Sequence, residues 1–170
     1  MGDLLIREAA GEADLHAVRQ LCRDYRALLA DRLAARPEVL AHYYDAAAYE
    51  GLLEALPETH ARPDGVILVA VLDGAIVACG MTHRVGPDAC EIKRVFTASS
   101  ARGHGAARAI IGAAMDQARR DGYREMVLDT MVHLTEAISL YGKLGFAERA
   151  PFYTVPDGFG DIVRFYGVRL

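Results

Sequence analysis

The chain has no apolar run near the roughly 20 residues that a bilayer-spanning helix requires, so no membrane partner is expected. Its opening residues, Gly2-Asp3-Leu4-Leu5-Ile6-Arg7-Glu8, carry neither a basic region nor a long apolar stretch, and no signal peptide is expected. Cysteine is scarce: Cys22, Cys79 and Cys90 are odd in number and widely spaced. That excludes a disulfide framework, suits a reducing cytoplasm and leaves three small buried hydrophobes. Neither sign of charge dominates, with 19 basic against 23 acidic side chains and a formal net charge of −4. Nothing in that balance favours nucleic acid or an anionic membrane. His16, His42, His60, His83, His104 and His133 lack ligand spacing of the His-Glu-x-x-His kind, so no metal is expected. There is no internal repeat, low-complexity tract or long linker, and residues 1–170 are expected to form one domain.

What is present is an ordered alternation of periodicities. Leu4 to Ala9 reads as an edge strand. A helix opens at Gly11-Glu12-Ala13-Asp14, with Asp14 as N-cap, and Leu15, Val18, Leu21, Tyr25, Leu28 and Leu29 recur on its apolar face. A second helical stretch runs from Pro37 to near Pro57. Then the pattern becomes β: Val66 to Leu72, an Asp73-Gly74 hairpin signal, Ala75 to Arg84, a turn at Gly86-Pro87-Asp88, and Ala89 to Thr97. A loop, Ser99 to Gly105, leads into a helix ending near Asp121-Gly122. Tyr123 to Thr130 has the continuous apolar centre of a buried strand. The last helix carries Leu134, Ala137, Ile138, Tyr141 and Leu144, with Gly145 as its stop. Strands at Phe146 to Tyr153 and Ile162 to Leu170 close the chain. This order predicts an α/β protein with a mixed, mostly antiparallel sheet of about seven strands and about four helices.

The loop Arg102-Gly103-His104-Gly105-Ala106-Ala107 sits between a strand and a helix. Glycines let the backbone take positive φ and approach a ligand closely. The helix start offers unpaired N–H groups and a positive dipole end, together a site for phosphate or pyrophosphate. Between residues 92 and 120 stand Lys93, Arg94, Arg102, Arg108, Arg119 and Arg120 against one acid, Asp116. Arg119 and Arg120 read as a solvated helix end. A Walker loop is excluded because Gly-Lys-Ser/Thr is absent, and a dinucleotide fingerprint because Arg108 stands where the third glycine belongs. The plain alternative is a turn before a surface helix.

With its neighbours the loop says more. Arg102-x-x-Gly105-x-Ala107 resembles the acyl-CoA motif [Q/R]-x-x-G-x-[G/A] of the GNAT superfamily. Cys90-Glu91-Ile92-Lys93-Arg94-Val95-Phe96-Thr97 resembles its fourth strand, in a bacterial subgroup with Glu-x-Lys-Arg there. Ala137 to Phe146 resembles the family's late helix with its Tyr-x-x-x-Gly-Phe ending, and Leu128-Asp129-Thr130 and Pro151-Phe152-Tyr153 match the subgroup. The resemblance covers essentially the whole chain. It departs at Ser99-Ser100, where Pro-acid is usual, and at Leu134, which is Asn in many relatives.

The resemblance implies a GNAT fold and direct transfer of an acyl group, expected to be acetyl, from acetyl-CoA to a primary amine of a small molecule. It implies acetyl-CoA as co-substrate, with the backbone of Val95, Phe96 and Thr97 aligning the pantetheine arm and Arg102, Gly103, His104, Gly105, Ala106, Ala107 and Arg108 holding the pyrophosphate. Tyr141 is the expected acid for the leaving thiolate, otherwise a core tyrosine. Glu91 is the expected base, otherwise a structural partner of Lys93 or Arg94. Tyr43, Tyr44, Asp45 and Tyr49 are expected pocket residues, or else helix surface and core. Two other functions stay open: a protein or peptide N-acetyltransferase, and a non-catalytic acyl-CoA-binding regulatory domain. A monomer or homodimer is expected.

Overall fold

The computed structural model describes residues 2–170. Its elements are β1 (Leu5–Glu8), α1 (Gly11–Arg32), α2 (Pro37–Tyr43), α3 (Ala46–Glu54), α4 (Leu56–Thr59), β2 (Val66–Leu72), β3 (Ala75–Arg84) and β4 (Ala89–Thr97). After a short 3-10 turn at Ser99–Ala101 come α5 (Ala106–Arg120), β5 (Glu125–Met131), α6 (Thr135–Lys143), β6 (Ala147–Glu148) and β7 (Val163–Arg169). The strands form one seven-stranded sheet in the order β1-β2-β3-β4-β5-β7-β6. Every neighbouring pair is antiparallel except β4 and β5. The expected mixed sheet is therefore present, with β1 at its edge.

Local chemistry explains most boundaries. Asp73 and Gly74 have φ of 50° and 81°, the paired left-handed residues of a two-residue hairpin turn whose twist matches its strands. At the end of α6, Gly145 has φ 91°. The Phe146 N–H donates to Tyr141 O at 3.0 Å and the Gly145 N–H to Gly142 O at 3.1 Å, closing a Schellman stop.

Three expectations need correction. Ala10, not Asp14, is the N-cap of α1. Asp14 lies one turn inside and reaches back to accept from the Ala10 N–H at 2.8 Å, so it caps from within the helix. The stretch from Pro37 to Pro57 is three helices rather than one, giving six helices among the described residues instead of about four. One break falls at Asp45, whose carboxylate accepts from the Ala48 N–H at 3.0 Å and starts α3 afresh; the other falls at Ala55, between α3 and α4. Finally, Phe146 to Tyr153 pairs as a strand only at Ala147–Glu148.

Helices cover both faces of the sheet. Ile110, Ile111, Ala114 and Tyr141 from α5 and α6 bury against Leu68, Ala78, Cys90, Ile92 and Leu128. On the other face Val18, Cys22, Tyr49 and Leu53 from α1 and α3 bury against Val69, Cys79, Met81 and Phe96. All three cysteines are free and buried.

Two irregularities in β4 shape what lies between these layers. First, β4 pairs with β5 only where Ala89–Glu91 meets Glu125–Val127. Beyond Glu91 the two strands part. Second, Cys79 pairs with Phe96 but Met81 pairs with Lys93, so Gly80 faces both Arg94 and Val95. This bulge holds Arg94 at φ 52°, a left-handed conformation costing about 1–2 kcal/mol for a residue with a Cβ. An extra residue reverses strand parity. Simple alternation would send Arg94 after Cys90 and Ile92 into the α5 core. Instead Val95 packs there and Phe96 joins the α1 face.

Candidate active site

The parting of β4 from β5 opens a cavity of about 530 Å³. Val95, Phe96 and Thr97 line one wall, and Arg102, Gly103, Gly105, Ala106, Ala107 and Arg108 line its phosphate-loop end. Ala137, Leu140 and Tyr141 of α6 form the opposite wall. Of the residues expected to hold a cofactor, only His104 does not line the cavity. Its Nδ1 lies 3.2 Å from Ala101 O.

The loop has the conformation an anion site needs. Gly103 and Gly105 have φ of 85° and 77°, and a Cβ placed on either would meet no atom of the protein within 4 Å. Packing therefore does not demand glycine there; the left-handed backbone does. Gly105 is the N-cap of the 15-residue α5, whose first turn contains no acidic residue, so its free N–H groups face the cavity mouth without an internal competitor. Arg102, Arg108 and Lys143 all line the cavity and form no salt bridge among the described residues, whereas Arg119 is paired with Asp116 at 2.8 Å. The Thr97 hydroxyl is buried without a hydrogen-bond partner. An open strand edge, a left-handed glycine loop and three unpaired cations fit a thioester on a long arm that leads to a pyrophosphate.

Several lining residues escape sequence reasoning. Tyr25, Leu28 and Arg32 of α1, together with Glu136, Ser139 and Lys143 of α6, border the same cavity. Arg32 is held there by Glu136 at 2.7 Å and by His133 O at 2.7 Å. Contacts across more than one hundred positions leave no local sequence pattern. Leu134, at the position that is Asn in many relatives, offers the cavity an apolar side chain.

Tyr141 is 9% exposed and packs its ring 5.7 Å from Phe146 and 6.4 Å from Tyr166. No hydrogen bond within the protein engages its hydroxyl among the described residues. Burial pushes its phenol well above the ordinary tyrosine value, and nearby Tyr25 and Asp129 add to the effect. The hydroxyl thus stays protonated across the neutral range and is a donor.

Glu91 is placed differently. It is 5% exposed and accepts from Lys93 Nζ at 2.9 Å, with His83 Nε2 at 2.8 Å from its other oxygen. Burial raises its pKa, but the hydrogen bonds and charges of His83 and Lys93 outweigh that and hold the carboxyl below its ordinary value. It lines neither of the two cavities described here. Its cationic partner is Lys93, not Arg94.

A second, smaller cavity of about 90 Å³ lies where β4 bulges. Tyr25, Tyr43, Tyr44, Lys93, Arg94, Asp129 and Tyr153 line it. Tyr25 borders both cavities. Asp129 accepts from the Tyr153 hydroxyl at 2.6 Å and lies 3.7 Å from Lys93 Nζ. Of the four residues expected near an acceptor, Tyr43 and Tyr44 line this cavity. Asp45 caps α3, and Tyr49 is buried with its hydroxyl donating to Cys22 O at 2.9 Å.

Residues 25–146 match the Acetyltransferase (GNAT) family, and the chain belongs to that family. It is similar to a protein named IAA acetyltransferase from Azospirillum brasilense, 38% identical over 96 residues, covering 56% of this chain and 63% of that protein. The matched stretch spans less than two thirds of each of the curated relatives. Among solved structures, a GNAT-family acetyltransferase from Staphylococcus aureus superposes with a TM-score of 0.73 at 14% identity, over 98% of this chain and 99% of the other. A Salmonella typhimurium protein solved with acetyl-CoA gives 0.68 at 22% identity, over 98% and 93%. These likenesses confirm the fold.

Proposed function

We propose that the protein is an acyl-CoA-dependent N-acyltransferase that moves acetyl from acetyl-CoA to the primary amine of a small molecule, by direct attack in a ternary complex. The observation that carries this reading is a pair of cavities lined by successive residues of β4, Val95 to Thr97 in one and Lys93 and Arg94 in the other. One is long and phosphate-competent, the other small, aromatic and polar, and Tyr25 borders both.

The roles follow from position. The parted edge of β4 from Val95 to Thr97 aligns the thioester arm, and Gly103, Gly105 and the start of α5 hold the pyrophosphate. The amine nitrogen attacks the thioester carbon, the C–S bond breaks, and sulfur leaves with the electron pair. Tyr141 donates a hydrogen bond to that sulfur. A thiol has pKa about 8.5 and the Tyr141 phenol lies far higher, so the hydroxyl stabilises the thiolate as a donor rather than by full proton transfer.

The amine must lose a proton. For an amine of pKa about 10.4 this costs roughly 4.6 kcal/mol at pH 7. Glu91, held low by its two partners, is a poor direct acceptor and stands behind Lys93. In this reading it is a positioning residue: it fixes Lys93 at the acceptor cavity, and the amine proton leaves through water. A cavity of about 90 Å³ favours a small acceptor over a peptide. The test is an amine panel with acetyl-CoA, following thiol release and N-acetyl product together.

A further inference from the structure

Most arginines of this protein have an acidic partner or a backbone carbonyl. Arg94 has neither. It forms no salt bridge among the described residues, and its Nε is buried without a hydrogen-bond partner. The two carboxylates nearest the acceptor cavity are already committed to Lys93: Glu91 at 2.9 Å and Asp129 at 3.7 Å. Asp129 also holds the Tyr153 hydroxyl at 2.6 Å. The neighbouring Tyr49 hydroxyl donates to Cys22 O at 2.9 Å and offers Arg94 only a neutral acceptor, not an anion. A guanidinium taken partly out of water without an anion is costly.

The backbone goes out of its way to put it there. The bulge opposite Gly80 and the left-handed φ of 52° at Arg94 turn this side chain away from the α5 core and into the small cavity beside Lys93. Such strain persists where the surroundings fix it, and it concentrates at functional sites. The larger cavity shows the same pattern. Its unpaired cations, Arg102, Arg108 and Lys143, stand where an anionic ligand is expected.

We infer that Arg94 anchors a carboxylate of the acceptor, so that the acceptor class is small amino-carboxylates, α-amino acids foremost. This rests on the acetyl-transfer reading above. The planar guanidinium fork matches a carboxylate. The tyrosines contribute aromatic walls for the carbon frame.

The experiment compares α-amino acids with their α-carboxamides, which keep the amine and lose the negative charge. Thiol release from acetyl-CoA and calorimetric binding are both measured. The wild-type protein is expected to favour carboxylate over carboxamide by at least ~10-fold in kcat/KM, mainly through KM, the scale of a hydrogen bond between charged groups. Arg94→Gln should bring that ratio towards one, and Arg94→Lys should retain part of it. A wild-type ratio near one, a ratio unchanged in Arg94→Gln, or a panel that neither binds nor reacts overturns the anchor. If Arg94→Gln does not fold, the wild-type ratio and Arg94→Lys decide. Thiol release without carboxylate preference removes the anchor and leaves acetyl transfer standing. Carboxylate-selective, Arg94-dependent binding without thiol release supports the anchor and removes acetyl transfer.

Discussion

Lys93 Nζ lies 2.9 Å from Glu91 Oε1, so the buried carboxylate approaches the smaller cavity, which Lys93 lines, only across an ammonium. Glu91→Gln separates a positioning role from a direct base. Positioning predicts that turnover divided by KM falls at every pH while its acidic limb stays in place. It also predicts a loss of about 1–3 kcal/mol of stability, since the Lys93 side of this pair is partly exposed and a full buried-pair penalty does not apply. An acidic limb that moves, with an unchanged melting temperature, would make Glu91 the base.

Tyr141→Phe keeps the ring contacts with Phe146 and Tyr166 and removes only the hydroxyl. Turnover on the true acceptor should fall by roughly 10²- to 10³-fold, the scale of one lost hydrogen-bond donor to a developing anion, with little change in melting temperature because no protein hydrogen bond is lost. Wild-type turnover in the variant would reduce Tyr141 to a core residue.

Gly105→Val tests the phosphate loop. At φ 77° a β-branched residue is strained although its Cβ meets nothing within 4 Å, so the loop must re-form rather than the core. Calorimetry should show acetyl-CoA affinity reduced by at least ~10-fold, about 1.4 kcal/mol. Unchanged affinity would exclude this loop as the pyrophosphate site.

Much of this was legible locally. The Asp73-Gly74 turn, the Gly145 stop and the left-handed Gly103 and Gly105 are each set by residues within a few positions of one another. The seven-stranded sheet followed from periodicity and order. The bulge was not legible: Arg94 sits in a strand that alternates regularly up to Lys93, and only pairing with β3 shows the extra residue. Nor was the second cavity, whose wall joins Tyr25, Tyr43, Asp129 and Tyr153 from separate elements. Glu91 was found as a charged strand residue, but its His83 partner comes from the facing strand, eight positions upstream.

His60 gives a pH signature. Burial drives its pKa down to about 4, while a hydrogen bond between Nδ1 and Thr82 O at 2.9 Å opposes the shift. The unfolded chain takes up this proton near pH 6.5 and the folded one only near 4. Stability from His60 is therefore present above about pH 6.5 and lost as pH falls towards 4, on the order of 3 kcal/mol in all. His60→Gln can still donate to Thr82 O and does not titrate. Its denaturant midpoint should fall less than the wild type's between those pH values. Parallel curves would assign the acid sensitivity elsewhere.

Acetyl transfer itself is tested most directly by incubating the protein with acetyl-CoA and a panel of small primary amines, while counting free thiol and N-acetylated product by mass spectrometry. Equal amounts of both are expected, released only when an acceptor amine is present and suppressed in Tyr141→Phe. Acetyl-CoA that binds tightly yet yields no N-acetyl product with any amine of the panel would contradict acetyl transfer, and would leave the domain as an acyl-CoA-binding one.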